Sequence, residues 1–212
     1  MASNYAGYMG KVMMVDLTTE TVTEYPWSDE QRQLYLGGKI MAARILCDHL
    51  TGKETAFSEE NWVVISTGPL TGTGAPSSAR FNISALSPQT GILASSNCGG
   101  SFGFHLKKAG YDALILKGRC NGRKWLEINE DQFTFHDADD LWGTKVTECQ
   151  EKLVQLTGKK KFGKLCIGPA GENLNYISCI NCDYYRQAGR GGIGAVMGSK
   201  KVKAILVKGT LG

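Results

Sequence analysis

A long-range repeat is the feature that most constrains the fold of this chain. Four short segments recur in the same order later in the sequence: Val63–Gly72 as Leu165–Gly171, Asn82–Ala85 as Tyr176–Cys179, Gly100–Gly103 as Gly191–Gly194, and Ala113–Gly118 as Ala204–Gly209. Their separation falls from 100 residues at Gly68 to 91 at Gly100, as shorter loops in the second copy would produce. Each copy predicts a strand, a Gly-Pro turn, a strand, a Gly-rich turn, a helix and a strand.

This repeat predicts an internally duplicated α+β domain with two sheets, short helices and pseudo-twofold symmetry. A duplicated surface suits a ligand with two similar arms. The patterns around the repeat predict hairpins over 10–26 and 124–136, and helices over 29–36, 39–50, 101–109 and 144–156. The segment 88–100 is expected to be turn-rich, with Asn97 in a loop, and 177–180 is expected to be a strand.

Length and composition favour a cytoplasmic globular protein. The 212 residues suffice for one domain or a tightly fused pair, and 42% are hydrophobic. No apolar run approaches the roughly 18 residues of a membrane span. The N-terminus lacks the basic and apolar regions of a signal peptide. The seven cysteines are odd in number and scattered, unlike a secreted disulfide framework.

The net charge of +4 leaves two interpretations of the basic clusters at 159–161 and 200–203. Solvated helix ends and turns account for them most simply. The alternative is a preference for an anionic ligand such as a phosphate. Nucleic acid is disfavoured, because the basic residues do not alternate with aromatic residues as they do in a binding groove.

The segment Gly189–Gly194 fits the pattern G-x-G-x-x-G of dinucleotide-binding folds. A polar stretch precedes it, and no acidic residue follows about 20 residues later, so the dinucleotide interpretation is disfavoured. Backbone N–H groups at such a turn still form an anion cradle. The structural alternative is that the glycines permit close packing of a helix on a sheet. Arg186 and Arg190 flank the turn and favour a phosphate.

We find no residue to assign as a catalytic base or nucleophile. Cys179 and Cys182 form a single C-x-x-C, which lacks the second pair of a zinc ribbon, and we interpret them as unlinked structural cysteines. No set of four cysteines has the spacing of an iron–sulfur site. His49, His105 and His136 are interpreted as structural.

Several longer motifs carry a resemblance to a known family. They are Gly10–Val12, Asp16–Thr18, Tyr35–Gly38, Thr67–Pro76, Asn97–Gly100, Lys108–Ala113, Ile167–Asn173 and Ala188–Lys200. They resemble the N-terminal domain of the aldehyde ferredoxin oxidoreductase family, over nearly the whole chain. The resemblance implies a two-sheet base beneath a tungsten ion held by the dithiolenes of two pterins, with magnesium bridging the pterin phosphates. Further domains, outside this chain, would supply a [4Fe–4S] cluster and the substrate pocket.

Site residues follow from the same resemblance. Arg80 would contact a pterin phosphate or ring edge. Asn97 and Ala188, which are 91 residues apart, would hold the magnesium through a side-chain oxygen and a backbone carbonyl. The remaining residues implied to line the cofactor are Gly99, Gly100, Arg186, Gln187, Gly189 and Arg190. The family pattern Asn-Ser-Gly-Gly has Cys98 as its second residue here, and Gln187 replaces an alanine, which puts the surrounding contacts in doubt.

The expected function is therefore that of a cofactor-binding domain, spanning 1–212, in a larger tungsten or molybdenum bis-pterin oxidoreductase. The resemblance implies oxidation of an aldehyde to a carboxylate, or a related low-potential reduction, with ferredoxin or an electron-transfer subunit as partner. A homodimer is compatible with it, and the isolated domain is expected to be inactive. One alternative is a non-catalytic nucleotide- or phosphate-binding module that uses the same Gly-rich turns. Another is an assembly domain whose cofactor site has decayed.

Overall fold

The two halves of the chain contain the same series of elements. The computed structural model describes residues 5–158 and 161–211. Within that part, the first half (residues 5–118) contains β1 Val12–Asp16, β2 Thr21–Tyr25, α1 Asp29–Tyr35, α2 Gly38–His49, β3 Val63–Thr67, β4 Phe81–Leu86, β5 Leu93–Cys98, α3 Phe102–Lys108 and β6 Ala113–Lys117. The second half (residues 119–211) contains β7 Lys124–Asn129, β8 Gln132–Asp137, α4 Val146–Thr157, β9 Gly163–Cys166, α5 Pro169–Glu172, β10 Ile180–Cys182, β11 Arg186–Ala188, α6 Ile193–Ser199 and β12 Val202–Lys208.

Each half forms one six-stranded sheet, and the two sheets have the same strand order. The first sheet runs β2-β1-β6-β3-β4-β5, and the second runs β8-β7-β12-β9-β10-β11. In each sheet the initial hairpin joins the final strand in parallel, through β1–β6 and β7–β12, and the other neighbours are antiparallel. The predicted α+β fold with a repeated sheet arrangement is therefore confirmed.

Alternation along the central strands divides their side chains between a central core and two outer cores. Ile65 of β3 and Leu165 of β9 are buried in the cluster that both sheets share. Val64 packs with the residues of α2, and Leu206 packs with those of α4. Each helix thus covers the outer face of its own sheet, and each fully buried aliphatic side chain contributes about 1.5–3 kcal/mol.

The predicted hairpins and helices agree with the structure to within two residues at either end. The exception in the first half is the segment 88–100, which contains β5 rather than turns alone. Asn97 is therefore a strand residue, and the expectation that it lies in a loop was wrong. Serine and asparagine have low strand propensity, and β5 is an edge strand, so its sequence does not predict it.

The register of the second copy also differs from the sequence match. Asn82 pairs with Ser66, and Asn181 pairs with Cys166, which lies 100 residues after Ser66. Asn181, and not a residue of 176–179, is therefore equivalent to Asn82. The segment 176–177 is a turn, in which the Asn175 side chain accepts the N–H of Ile177, and the strand starts only at Ile180.

Candidate functional site

The Gly-rich turn of each half lies against a hairpin of the other half. The backbone N–H and the hydroxyl of Ser101 donate to the Asp183 carboxylate, at 2.7 and 2.9 Å. In the reverse direction, Ser87 Oγ donates to the carbonyl oxygen of Gly191 at 2.8 Å. The two turns are thereby fixed on the two sheets, at the ends of β5 and β11.

Two of these turn positions require glycine. Gly100 has φ +113°, and a Cβ there would lie 2.8 Å from both Cys182 Sγ and Asp183 Oδ2. Gly191 has φ +74°, and a Cβ there would lie 2.4 Å from Ala94 Cβ. The glycines therefore permit close packing between the halves, which was the structural alternative, and they also leave backbone N–H groups bare of side chains.

The structure brings the residues named for the cofactor into one neighbourhood. Arg186, Gln187 and Ala188 form β11, and the N–H of Arg190 donates to Ser96 Oγ of the first half at 3.1 Å. A Cβ at Gly100 would lie 3.7 Å from Arg186 Cγ. Arg80, Asn97, Arg186, Gln187, Gly189 and Arg190 are exposed, Gly99 and Gly100 are half-buried, and Ala188 is buried.

Positive charge dominates this neighbourhood. The guanidinium groups of Arg80, Arg186 and Arg190 form no ion pair within the described residues. The pKa of Cys98 lies below its ordinary value because of its hydrogen bond with Cys182 and, to a smaller extent, the charges of Arg186 and Arg80. Exposed guanidinium groups beside bare N–H groups favour an anion such as a phosphate.

Asn97 has an oxygen available for a ligand. Its Oδ1 accepts one hydrogen bond, from Asn82 Nδ2 at 3.0 Å, and a carboxamide oxygen has two lone pairs. Asn82 Nδ2 also donates to Ser95 Oγ at 2.6 Å, so the Asn82 side chain stays fixed without Asn97. Ala188 has none of its surface exposed, so neither its side chain nor its carbonyl oxygen is open to a ligand in this structure.

Strand pairing changes the equivalence between the two halves at this point. Asn97 pairs with Asn82, whereas Gln187 pairs with Asn181. Gln187, rather than Ala188, is therefore equivalent to Asn97. The second half therefore has one more residue than the first between the paired amide and the Gly-rich turn. The separation of 91 residues between Asn97 and Ala188 does not reveal this additional residue.

Two pockets occupy equivalent positions in the two halves. The first, of about 400 Å³, is lined by Gly37 and Gly38 at the start of α2, Gly68, Pro69, Arg80 and Asn97, among others. The second, of about 550 Å³, is lined by Lys145 and Val146 at the start of α4, Gly168, Pro169, Ser178 and Gln187, among others. Each pocket thus combines a Gly-Pro turn, the N-terminus of a covering helix and one of the equivalent amides.

The sequence analysis did not assign the N-termini of α2 and α4 to the site, and it did not assign Ser178 and Cys179 to the second pocket. Ser178 Oγ is buried and has no hydrogen-bond partner among the described residues. Cys179 Sγ donates to Gln187 Oε1 at 2.9 Å, and burial raises the pKa of the Cys179 thiol. The repeat could have identified this pocket if the helices starting at 38 and 146 had been included in it.

The histidines have structural contacts. His49 stacks on Trp62, with ring centroids 3.5 Å apart, and His136 stacks on Trp125 at 3.9 Å. Burial lowers the pKa of His105. Over 5–158 and 161–211, no group of three or more histidine, cysteine, aspartate or glutamate residues has the arrangement of a metal site.

A family model described as aldehyde ferredoxin oxidoreductase, N-terminal domain, matches residues 12–209. The chain belongs to the aldehyde ferredoxin oxidoreductase family. It is 40% identical over 203 residues to the tungsten-containing aldehyde ferredoxin oxidoreductase of Pyrococcus abyssi, a match covering 96% of this chain and 33% of that protein. It is 33% identical over 218 residues to the aliphatic sulfonate oxidoreductase, WOR-like subunit, of Pyrococcus furiosus, covering 96% of this chain and 35% of that protein.

A solved structure has the same fold. The active-site complex BamBC of benzoyl coenzyme A reductase, in complex with 1,5-dienoyl-CoA, matches with a TM-score of 0.94 and 36% identity. The match covers 97% of this chain and 31% of that chain. This chain therefore spans about a third of the length of the relatives it matches. Within its described residues, no helix is both long and apolar enough to cross a membrane.

Proposed function

We propose that this chain is the base on which a tungsten or molybdenum bis-pterin cofactor binds in a larger oxidoreductase. The observation that carries the proposal is the pair of equivalent pockets flanking one arginine-rich region with two Gly-rich turns. A ligand with two similar arms and anionic groups between them matches that arrangement in shape and charge. A mononucleotide would use only one of the two pockets.

The residues present fit such a cofactor. Arg80, Arg186 and Arg190 would bind phosphate oxygens, with the planar guanidinium fork suited to bidentate contacts. Asn97 Oδ1 would contribute one oxygen ligand to a magnesium ion between the phosphates, and the Ala188 carbonyl would contribute a second if a shift of β11 uncovered it. Phosphate oxygens and water would complete the shell. When bound, the metal dithiolene would supply the redox chemistry, and this domain would hold and orient it.

The whole protein would oxidise an aldehyde or carry out a related low-potential reduction. Ferredoxin or an electron-transfer subunit would take the electrons through a [4Fe–4S] cluster outside this chain. The names of the relatives include an aldehyde, a sulfonate and a coenzyme A thioester system, so the same base serves proteins with different substrates. The substrate is therefore set by residues outside this domain.

Elemental analysis of the full-length protein separates this proposal from its alternatives. We expect about one atom of tungsten or molybdenum per chain, because one metal is shared by two pterins. A phosphate-binding module, or an assembly domain with a decayed site, would contain neither metal after expression with both metals supplied.

Replacement of Asn97 tests the magnesium site. In the full-length protein, Asn97→Ala removes one of about six oxygen ligands from a cation between two anions, so we expect loss of most of the metal and pterin. The fold should remain, because the Asn97 side chain is exposed and Asn82 keeps its bond to Ser95. Metal and pterin content per chain and circular dichroism provide the measurement.

Cys98→Ser is the matched control for Asn97→Ala. Neighbouring strand residues point to opposite faces, and Cys98 is buried in the central core, so this change should leave cofactor content near normal. If Asn97→Ala kept its full cofactor while Cys98→Ser lost it, the ligand assignment would be wrong.

A further inference from the structure

The edge hairpin of the second half is much shorter than that of the first half. β4 and β5 are joined by six pairs of residues, whereas β10 and β11 are joined by only three. β11 nevertheless presents Arg186 and Gln187, which are both exposed in the arginine-rich region. A hairpin this short is marginally stable by itself. The position of β11 therefore depends on contacts from the rest of the molecule.

A buried glutamine of α4 supplies these contacts. Gln150 has none of its surface exposed, and its Nε2 donates to Asn181 Oδ1 of β10 and to the carbonyl oxygen of Asp183. Asn181 Nδ2 in turn donates to the carbonyl oxygen of Arg186 at 3.2 Å. One amide thus connects the covering helix to both sides of the loop that joins β10 to β11.

The same amide also supports the Gly-rich turn of the first half. The Asp183 carboxylate accepts both hydrogen bonds from Ser101, at 2.7 and 2.9 Å. A Cβ at Gly100 would lie 2.8 Å from Asp183 Oδ2, so the turn packs directly on this carboxylate. Because Gln150 holds the backbone of Asp183, the turn and β11 depend on one side chain.

The first half shows that packing does not require an amide at this position. α2 and α4 each have 12 residues, and Ala42 is the fifth residue of α2, as Gln150 is of α4. Ala42 is also fully buried. In the first half the corresponding asparagine is held from within its own sheet, since Ser84 Oγ donates to Asn82 Oδ1 at 2.6 Å.

The second polar atom of Gln150 also argues against a role in packing alone. Gln150 Oε1 is buried and has no hydrogen-bond partner among the described residues. An unpaired buried oxygen costs free energy that an apolar side chain would not cost. Gln150 is therefore explained by what its Nε2 holds and not by the stability of α4.

We propose that Gln150 is a positioning residue, which acts through Asn181 and Asp183 to hold Arg186 and the turn at Gly100 in place for an anionic ligand. The inference rests on the proposed function for the identity of that ligand, the phosphates of the two pterins. Its structural part, the dependence of β11 on Gln150, rests only on the hydrogen bonds.

Amide hydrogen exchange of the full-length protein tests the structural part. Gln150→Met keeps an unbranched side chain of similar size and removes both N–H donors. We expect exchange in residues 183–188 to accelerate about tenfold, as the loss of about one hydrogen bond predicts, while exchange in β9 stays unchanged. Gln155→Met makes the same replacement at an exposed position of α4 and should change neither. No acceleration at 183–188, or equal acceleration in β9, would overturn the proposal.

A double variant tests the path through Asn181. Asn181→Leu by itself should accelerate the same residues, so this test stands even if Gln150→Met does not fold. Gln150→Met combined with Asn181→Leu should exchange at 183–188 no faster than the faster single variant, because both changes remove the same connection. If the effects of the two single variants multiplied, Gln150 would act independently of Asn181 and the path would be wrong.

Cofactor content separates positioning from stability. Leu153→Ala leaves a cavity in the apolar core beneath the same helix, so it should lower the Tm but keep the metal and pterin content near normal. Gln150→Met should lose most of its metal and pterin while its Tm falls less. Both contents are measured at a temperature at which circular dichroism shows folded protein. If cofactor loss followed the fall in Tm in these two variants, the role of Gln150 would be structural and the proposal would fail.

The two readouts distinguish failure of this inference from failure of the proposed function. If the unaltered full-length protein contained neither metal nor pterin, the proposed function would fail, and the exchange rates at 183–188 would still decide the role of Gln150. If the unaltered protein contained the cofactor and Gln150→Met retained all of it, the positioning role would be wrong and the proposed function would stand.

Discussion

The two halves of the molecule place opposite charges at one equivalent buried position. The N–H of Thr67 donates to the carbonyl oxygen of Asp112 at 2.9 Å, and the N–H of Ile167 donates to that of Lys203 at 3.0 Å. Asp112 and Lys203 thus make the same backbone contact. Asp112 directly precedes β6, and Lys203 is the second residue of β12. One side chain is an anion and the other a cation, and both are at most 2% exposed.

Each half compensates its buried charge in its own way. The Asp112 carboxylate accepts the N–H groups of Met9 and Gly10, at 3.0 and 2.9 Å, and pairs with Lys107 Nζ at 2.6 Å. Lys203 Nζ donates to the carbonyl oxygen of Thr144 at 3.0 Å and pairs with Glu172. The comparison shows that the strand order fixes the backbone bonds, whereas the charge is free to invert as long as a partner compensates it.

The largest effect is expected for Asp112→Asn. This change leaves the Lys107 ammonium buried without its counter-ion and weakens the acceptor for two backbone N–H groups. Breaking a buried pair costs about 3–5 kcal/mol, and these additional bonds place Asp112 near the upper end. In the full-length protein, amide hydrogen exchange in β1 and β6 should accelerate by roughly 10³- to 10⁴-fold, as follows from that free energy.

An exposed pair provides the control for Asp112→Asn. Arg123 and Asp139 lie 3.4 Å apart with 49% and 68% of their side chains exposed, so Asp139→Asn should change exchange very little. Equal effects of the two substitutions would show that burial of the charge is not what matters at Asp112.

A somewhat smaller effect is expected for Lys203→Met, near the lower end of about 3–5 kcal/mol, because only Glu172 loses a charged partner. Adding Glu172→Gln should restore most of the lost protection against amide hydrogen exchange, since it removes the uncompensated charge.

The corresponding double change in the first half, Asp112→Asn with Lys107→Met, should restore less of this protection, because the N–H groups of Met9 and Gly10 still need two acceptors. Exchange rates in β12 and β6 measure both, and equal recovery in the two halves would contradict this difference between them.

The smallest effect concerns Lys200, a buried cation that the first half lacks, since Ala109 occupies its equivalent position 91 residues earlier. Its Nζ donates to the carbonyl oxygens of Glu59 and Gly118, at 3.1 and 2.9 Å. Burial lowers the pKa of Lys200 from 10.5 to about 8. Between pH 8 and pH 10.5, Lys200 is protonated in the unfolded chain and largely deprotonated in the folded chain. The free energy of unfolding therefore rises with pH in this window because of Lys200. Below about pH 8 Lys200 is protonated in both states, and this contribution to the pH dependence disappears.

Lys200→Met should therefore remove part of the pH dependence. Between pH 8 and pH 9.5 the unaltered protein should gain on the order of 1–2 kcal/mol from this group relative to the variant, given about 1.4 kcal/mol per pH unit. Thermal unfolding of both full-length proteins at the two pH values gives the difference. Parallel pH profiles for the two proteins would exclude the contribution of Lys200.

The sequence predicted those parts of the fold that have a local signature. The sequence match gave separations of 100 residues at Gly68 and 91 residues at Ala113. The strand pairing has the same separations, since Ser66 pairs with Ala113 and Cys166 pairs with Ala204. A Gly-Pro turn and a run of aliphatic residues each allow only one alignment of the two copies. The middle strands were misaligned because β10 has three residues and follows an Asn175 turn. Propensity alone cannot locate so short a strand.

The site could be predicted only in part for a related reason. The residues of Arg186–Arg190 came from a contiguous motif, and the structure brings them to the end of β5. The second pocket depends on how distant elements pack together, which no local pattern encodes. The charge inversion at Asp112 and Lys203 was missed because both residues lie one position before the aliphatic run that was matched.

The central claim is that the two equivalent halves bind the two arms of one cofactor. The most direct measurement is the ratio of pterin to metal in the full-length protein, with pterin quantified as its fluorescent oxidation product and tungsten and molybdenum by mass spectrometry. We predict about two pterins for each metal atom, one for each pocket. A ratio of one pterin per metal, or a protein that contains a nucleotide and no metal, would contradict the claim.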